Sequence, residues 1–131
     1  MGGSLLLHDD ADILDEELLY RAILPDWINK ESGEVSSVAF ISRIDPHVSV
    51  DRSSLTTSSD SLERQPRSVA LAQLTAGKVR EETTGVASAP IDGNPAHALI
   101  IRDPEKSNSA WKKAARRLAR ACTWALAPRS D

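Results

Sequence analysis

The sequence is poor in several things at once, and each shortage excludes a class of protein. A single cysteine, Cys122, rules out an internal disulfide and leaves no Cys-x-x-Cys or Cys/His spacing for a structural zinc. Aromatic residues make up 4% of the chain (Trp27, Trp111, Trp124, Tyr20 and Phe40), too few for a platform on which successive bases of a single strand would stack. Apolar stretches such as that from Ala96 to Ile101 fall far short of the roughly 20 residues that cross a bilayer, so no membrane partner is expected. The opening residues show no secretory pattern, and with one thiol the chain reads as a protein of a reducing cytoplasm. An excess of one charge is missing too. The 16 basic and 19 acidic residues leave a net charge of −3, which gives no general affinity for polyanions.

What remains is 131 residues, 40% of them apolar, enough for one domain with a modest core. Residues 1–12 read as a flexible segment opening on Met-Gly-Gly-Ser, residues 13–128 as the domain and 129–131 as a tail. Ile13, Leu14, Leu18, Leu19, Ala22 and Ile23 recur at three and four residues behind Asp12. That spacing predicts a helix from about Asp15 to Leu24, stopped by Pro25. A strand is expected over Ser37 to Ser42, and a short one over His47 to Asp51, placed at a sheet edge because it follows Pro46 so closely. Asp60-Ser61-Leu62-Glu63 has capping-box spacing for a one-turn helix.

Ser68 to Leu74 fits a buried strand or the start of a helix by periodicity, and the strand, leading into a helical or turn segment at Thr75 to Glu82, is favoured. Gly85 to Pro90 reads as a further strand, Asp92-Gly93-Asn94-Pro95 as a turn, and His97 to Arg102 as a strand. The clearest element begins after Asp103-Pro104, with proline at the first helical position, or else after the cap cluster Ser107-Asn108-Ser109. Trp111, Ala114, Ala115, Leu118, Cys122, Ala125 and Leu126 share one face of a helix that Pro128 ends, while Lys112, Lys113, Arg116, Arg117 and Arg120 lie on the other. The fold class is therefore α+β: a small, mostly antiparallel sheet with a C-terminal amphipathic helix packed on one face.

Chemistry-bearing residues are sparse. Thr75-Ala76-Gly77-Lys78 follows a strand as a phosphate loop would. However, Ala72 stands where that loop needs its first glycine, and Val79 where it needs a hydroxyl. The hydroxyl-rich stretch from Ser53 to Ser61 lacks the glycine frame of a nucleophile elbow. His8, His47 and His97 form no pair at metal spacing, so neither a metal nor a cofactor is expected. His47, Asp51 and His97 would make an acid/base site, or a weak metal site, if their two strands were neighbours. Cys122, on the apolar helix face, is expected to pack rather than react. Tyr20, Arg21 and Trp27 bring a phenol, a guanidinium and an indole into a short span, the residue types that dominate binding interfaces.

The chain resembles small bacterial proteins of no assigned activity that share four segments. These are Leu19-Tyr20-Arg21, Val48-Ser49-Val50-Asp51, Asn94-Pro95-Ala96-His97-Ala98 and Ala115-Arg116-Arg117-Leu118-Ala119. The likeness spans about Leu19 to Trp124 and implies a bacterial cytoplasmic origin without transferring any catalytic residue. Leu19-Tyr20-Arg21 is also similar to the first strand of ADP-ribosyl-transferring enzymes. There it implies an arginine in contact with a dinucleotide, but no residue here matches that family's later glutamate.

Three functional expectations follow. The first is a small non-enzymatic accessory or regulatory protein that binds a protein partner through the acidic N-terminal block (Asp9, Asp10, Asp12, Asp15, Glu16 and Glu17), Tyr20, Arg21 and Trp27, or the cationic helix face. The second is nucleic-acid binding through Lys112, Lys113, Arg116, Arg117 and Arg120. The third is a small enzyme centred on His97, of ADP-ribosyl-transfer type.

Overall fold

A computed structural model describes residues 7–41 and 46–128. Six strands form one sheet: β1 (Leu18–Ile23), β2 (Val48–Arg52), β3 (Ala70–Thr75), β4 (Gly85–Ser88), β5 (His97–Ile101) and β6 (Thr123–Leu126). Their order is β4-β5-β2-β1-β3-β6, and every neighbouring pair is antiparallel. Three helices accompany them, α1 (Ser58–Glu63), α2 (Ala76–Glu82) and α3 (Asn108–Ala121). The α+β class and the packed C-terminal helix are as the sequence implied.

Alternation along the strands separates the two sheet faces. Leu19, Ile23, Val48, Val50, Ala72, Leu74, Ala98 and Ile100 point into one core cluster, which Trp111, Ala114, Ala115 and Leu118 of α3 complete. Ser107 starts α3 by accepting from the Ala110 amide. The indole N–H of Trp111 is satisfied deep in this core, donating to the Phe40 carbonyl at 3.0 Å.

Several local expectations are corrected. Residues 18–23 form a strand, not the helix expected over Asp15 to Leu24, and pair with β3 along their whole length. The period of two was hidden because Arg21 occupies the core-side position between Leu19 and Ile23. The Ser37–Ser42 strand is instead a one-turn 3-10 helix over Ser37–Phe40, whose Ser36 hydroxyl accepts from the Val38 amide, while Ser42 lies outside the described residues. β2 is no edge strand. It lies between β5 and β1, and Pro46 precedes it without interrupting its ladder. The first turn of α1 is capped by Thr57, three residues before the expected Asp60. α3 ends at Ala121, and Ala125 and Leu126 belong to β6 on the outer side of β3 rather than to the helix.

The acidic opening is tied to the fold rather than to α3. The Asp10 amide donates to the Val86 carbonyl, and Arg80 reaches the carboxylates of Asp9 and Asp15 at 3.0 and 2.6 Å. Glu17 holds Arg52 through two hydrogen bonds of 3.0 and 3.1 Å.

Candidate functional site

β1 is zipped unequally to its neighbours. Its ladder with β3 runs over six residue pairs from Leu18↔Thr75 to Ile23↔Ala70, whereas its ladder with β2 holds two, Leu19↔Arg52 and Tyr20↔Asp51. Beyond Tyr20 the two strands are no longer paired. A cleft of about 690 Å³ opens there, lined on one side by Tyr20, Arg21 and Ala22 and on the other by Ser49, Val50 and Asp51. The C-terminal end of α1 and the residues after it, Arg64 to Ser68, close one flank, and the turn from Ile91 to Asn94 with His97 closes the other.

That turn is built by its own residues. Gly93 has φ +80°, the conformation demanded at the third position of a type II turn, and the Asn94 amide donates back to the Ile91 carbonyl at 2.9 Å. The Asn94 side chain then holds the turn to the sheet, donating to Asp51 Oδ1 at 2.8 Å while its oxygen accepts from the Ala96 amide. Asp51 Oδ2 accepts from the Ser61 hydroxyl at 2.6 Å and from Arg64 Nη2 at 3.1 Å. Asp51 is 7% exposed, so this carboxylate, with three donors on its two oxygens, is a structural hub joining β2, α1 and the turn.

His97 pairs with Asp51 across the β2–β5 ladder, so the two share a face and both line the cleft. Its Nδ1 lies 2.8 Å from the Ala89 carbonyl. A carbonyl only accepts, so Nδ1 carries the proton of that bond and Nε2 is the nitrogen left for other work. His47 is not part of this group. It sits before the opposite end of β2, where its Nδ1 accepts from the Arg102 amide. The sequence-derived trio is thus split: Asp51 and His97 come together, and His47 stands at the far end of the ladder.

Arg21 occupies the seam itself. Its Nη1 donates to the Ser49 carbonyl at 2.8 Å and its Nε to the Ala39 carbonyl at 3.0 Å, so the guanidinium spans the gap that the backbone ladder leaves. Its plane also lies over the Trp27 ring, 4.8 Å from the centroid. Burial pushes its pKa down to about 10, against a smaller opposing influence of the Cys122 sulfur, so it remains a cation at neutral pH. Cys122 is pushed up to about 12 by burial, with Arg21 pulling the other way, and stays a packed thiol.

Tyr20, Arg21 and Trp27 therefore do gather, and with Asp51 and His97 they line one cleft. Ser61, Arg64, Arg67 and Asn94 join them there, although nothing in the sequence singled them out for a site. Of these, Asn94 lay within a turn signal, Asp92 to Pro95, and Ser61 within the Asp60-to-Glu63 capping box; Arg64 and Arg67 lay within none.

The second candidate surface is α3. Lys112, Lys113, Arg116, Arg117 and Arg120 are all exposed, on the face opposite the buried stripe. Arg117 meets Glu82 at 3.3 Å, and the other four make no hydrogen bond or ion pair among the described residues. Among the described residues no group of three or more His, Cys, Asp and Glu side chains could hold a metal ion, and no described helix is long and apolar enough to cross a membrane.

No protein-family model matches the chain, and the searches of curated proteins and of solved structures return no significant match.

Proposed function

We propose that this is a small non-enzymatic accessory or regulatory protein that works by binding a partner protein with an acidic surface. The carrying observation is the division of α3. Its apolar stripe is spent on the core while its cations point to solvent, four of them without a partner among the described residues. Long-range attraction from such a face accelerates and orients encounter with a surface of opposite sign. The acidic opening does not compete for it, because Asp9, Asp15 and Glu17 are bound to Arg80 and Arg52.

The cleft supports binding over catalysis. The carboxylate that would serve as a base, Asp51, accepts from Ser61, Arg64 and Asn94, and His47 lies away from His97.

Co-purification from the source cell, with the wild type beside a variant carrying Arg116→Glu and Arg120→Glu, tests the proposal. A protein retained by the wild type at low salt, released by added salt and lost with the variant is the expected result. Identical recovery by both chains overturns it. Recovery of nuclease-sensitive material in place of protein replaces it with the nucleic-acid reading.

A further inference from the structure

The arginines that reach into this protein differ in one respect. Arg52 is paired with Glu17, Arg64 with Asp51, and Arg80 with Asp9 and Asp15. Arg21 has no carboxylate partner among the described residues. Its partners are two backbone carbonyls, Ser49 and Ala39, and the Trp27 ring. A cation held away from water without a counter-charge is costly, and at Arg52, Arg64 and Arg80 the cost is met by an acidic neighbour, while Arg102, which also lacks one, bonds the Asn108 side chain at the surface and lies over the Trp111 ring. At Arg21 the fold supplies an opening in place of that neighbour.

From this we propose that the cleft between β1 and β2 is a binding site for a small organic anion, a carboxylate or phosphate monoester, whose charged group is received by Arg21. The lining suits such a ligand in three ways. Arg21 Nη2 bonds no protein acceptor among the described residues, and Arg21 lines the cleft, so part of its donor fork is free for an oxyanion. Arg67 stands on the flank as a second cation; of the two lining carboxylates, Asp51 on the sheet is already paired with Arg64, and Asp92 lies exposed on the turn at the margin. For the organic part there are Tyr20, Trp27 and the Ile91 side chain, which is 56% exposed at the margin, together with His97 Nε2 as a hydrogen-bonding group. The volume, about 690 Å³, lies within the range of roughly 300–1,000 Å³ that small-molecule sites occupy.

The site is separate from the cationic α3 face, so its fate does not depend on whether that face docks a protein. Amide and arginine-Nε NMR titration of the full chain tests it, with inorganic phosphate, glycerol phosphate and benzoate as probes at up to about 10 mM. Saturable shifts at Arg21 Nε–H and at the amides of Asn94 and His97 are expected, with an organic probe binding more tightly than inorganic phosphate. Arg21→Met should weaken binding at least tenfold while leaving the amide spectrum dispersed, and Arg21→Lys should weaken it less. Arg116→Glu on α3 should leave affinity unchanged. Phosphate monoester binding without benzoate binding assigns the site to phosphates, and the reverse assigns it to carboxylates. The proposal is overturned if no probe shifts these resonances, or if Arg21→Met or the Arg21→Lys variant retains wild-type affinity. It is equally overturned if Arg116→Glu removes binding, which would move the anion to the helix.

Discussion

The two sides of β1 make opposite use of the same strand. Toward β3 it forms an uninterrupted antiparallel ladder over its full length, and the core side chains Leu19 and Ile23 lie over Ala70, Ala72 and Leu74. Toward β2 it pairs at one end only, where Glu17 and Arg52 clamp the strands together, and then departs, and across the gap Arg21 donates to the Ser49 carbonyl of β2. Closed ladders satisfy backbone groups with other backbone groups and leave nothing over for a ligand. An open seam needs side-chain substitutes, and those substitutes are what a ligand can meet. The division of labour is therefore geometrical: β1 is a structural strand on one edge and a site-forming strand on the other.

Breaking the closed side should cost most. Ile23 is fully buried at the end of the β1–β3 ladder, where no β2 pairing supports it. Ile23→Ala removes its branched side chain and leaves a cavity against the core, and a loss of about 3–4 kcal/mol is expected. A urea unfolding curve shifted to a lower midpoint with unchanged slope would show this. A loss below about 1 kcal/mol would mean that the ladder, not the side chain, anchors that end of β1.

A second test addresses the hub that frames the open side. Asp51→Ala strands the donors of Ser61 and Asn94 and deprives Arg64 of its carboxylate. The expected loss is about 2–3 kcal/mol, moderated because Arg64 is partly solvated. Increased hydrogen exchange should be confined to α1 and the 91–94 turn, with β3 still protected. Equal loss of protection in β3 would show that the two sides of β1 are not independent.

This asymmetry was only half legible in the sequence. α3, β5 and the α2 region announced themselves because each keeps one period and is bounded by a cap, proline or glycine signal: Ser107 before α3, Pro95 before β5, Thr75 before α2. β1 did not, because a strand whose middle core-side position is arginine loses its alternation, and the surviving apolar residues mimic a helix. β6 was masked in the same way, since Trp124, Ala125 and Leu126 continue the apolar stripe of α3 past the point where Cys122 leaves the helix.

At the site, Tyr20, Arg21, Trp27, Asp51 and His97 were each recognisable by chemistry, but their assembly was not. The contact of Asp51 with Asn94 spans 43 residues and depends on strand order, which local patterns do not encode. His47 was misjudged for a related reason. The antiparallel register of β2 and β5 puts Asp51 beside His97, and it places His47 beyond the Val48↔Ile100 end of the same ladder.

The smallest expected effect concerns the clamp at the closed end of the β1–β2 seam. Burial of Glu17 favours its neutral form, but the hydrogen bonds from Arg52 and Ser54 outweigh this and hold its carboxyl below the ordinary 4.5. A carboxylate with a lower pKa folded than unfolded contributes stability that is fully present above the unfolded value and lost as pH falls through the folded one. Wild type and Glu17→Gln should therefore differ by about 1 kcal/mol at pH 7, and the gap should close progressively below pH 4.5 as the wild-type carboxyl takes its proton. Thermal midpoints of the two proteins along a pH series measure the gap directly. If it persists undiminished into strong acid, Glu17 acts by packing, and the seam is held by its two backbone pairs without help from charge. If it closes as described, the clamp is electrostatic. Its opening in acid should then extend the parting of β1 and β2 from Arg21 back toward Leu18, visible as faster exchange of the Ser53 amide, which donates to the Leu18 carbonyl across the seam, before global unfolding begins.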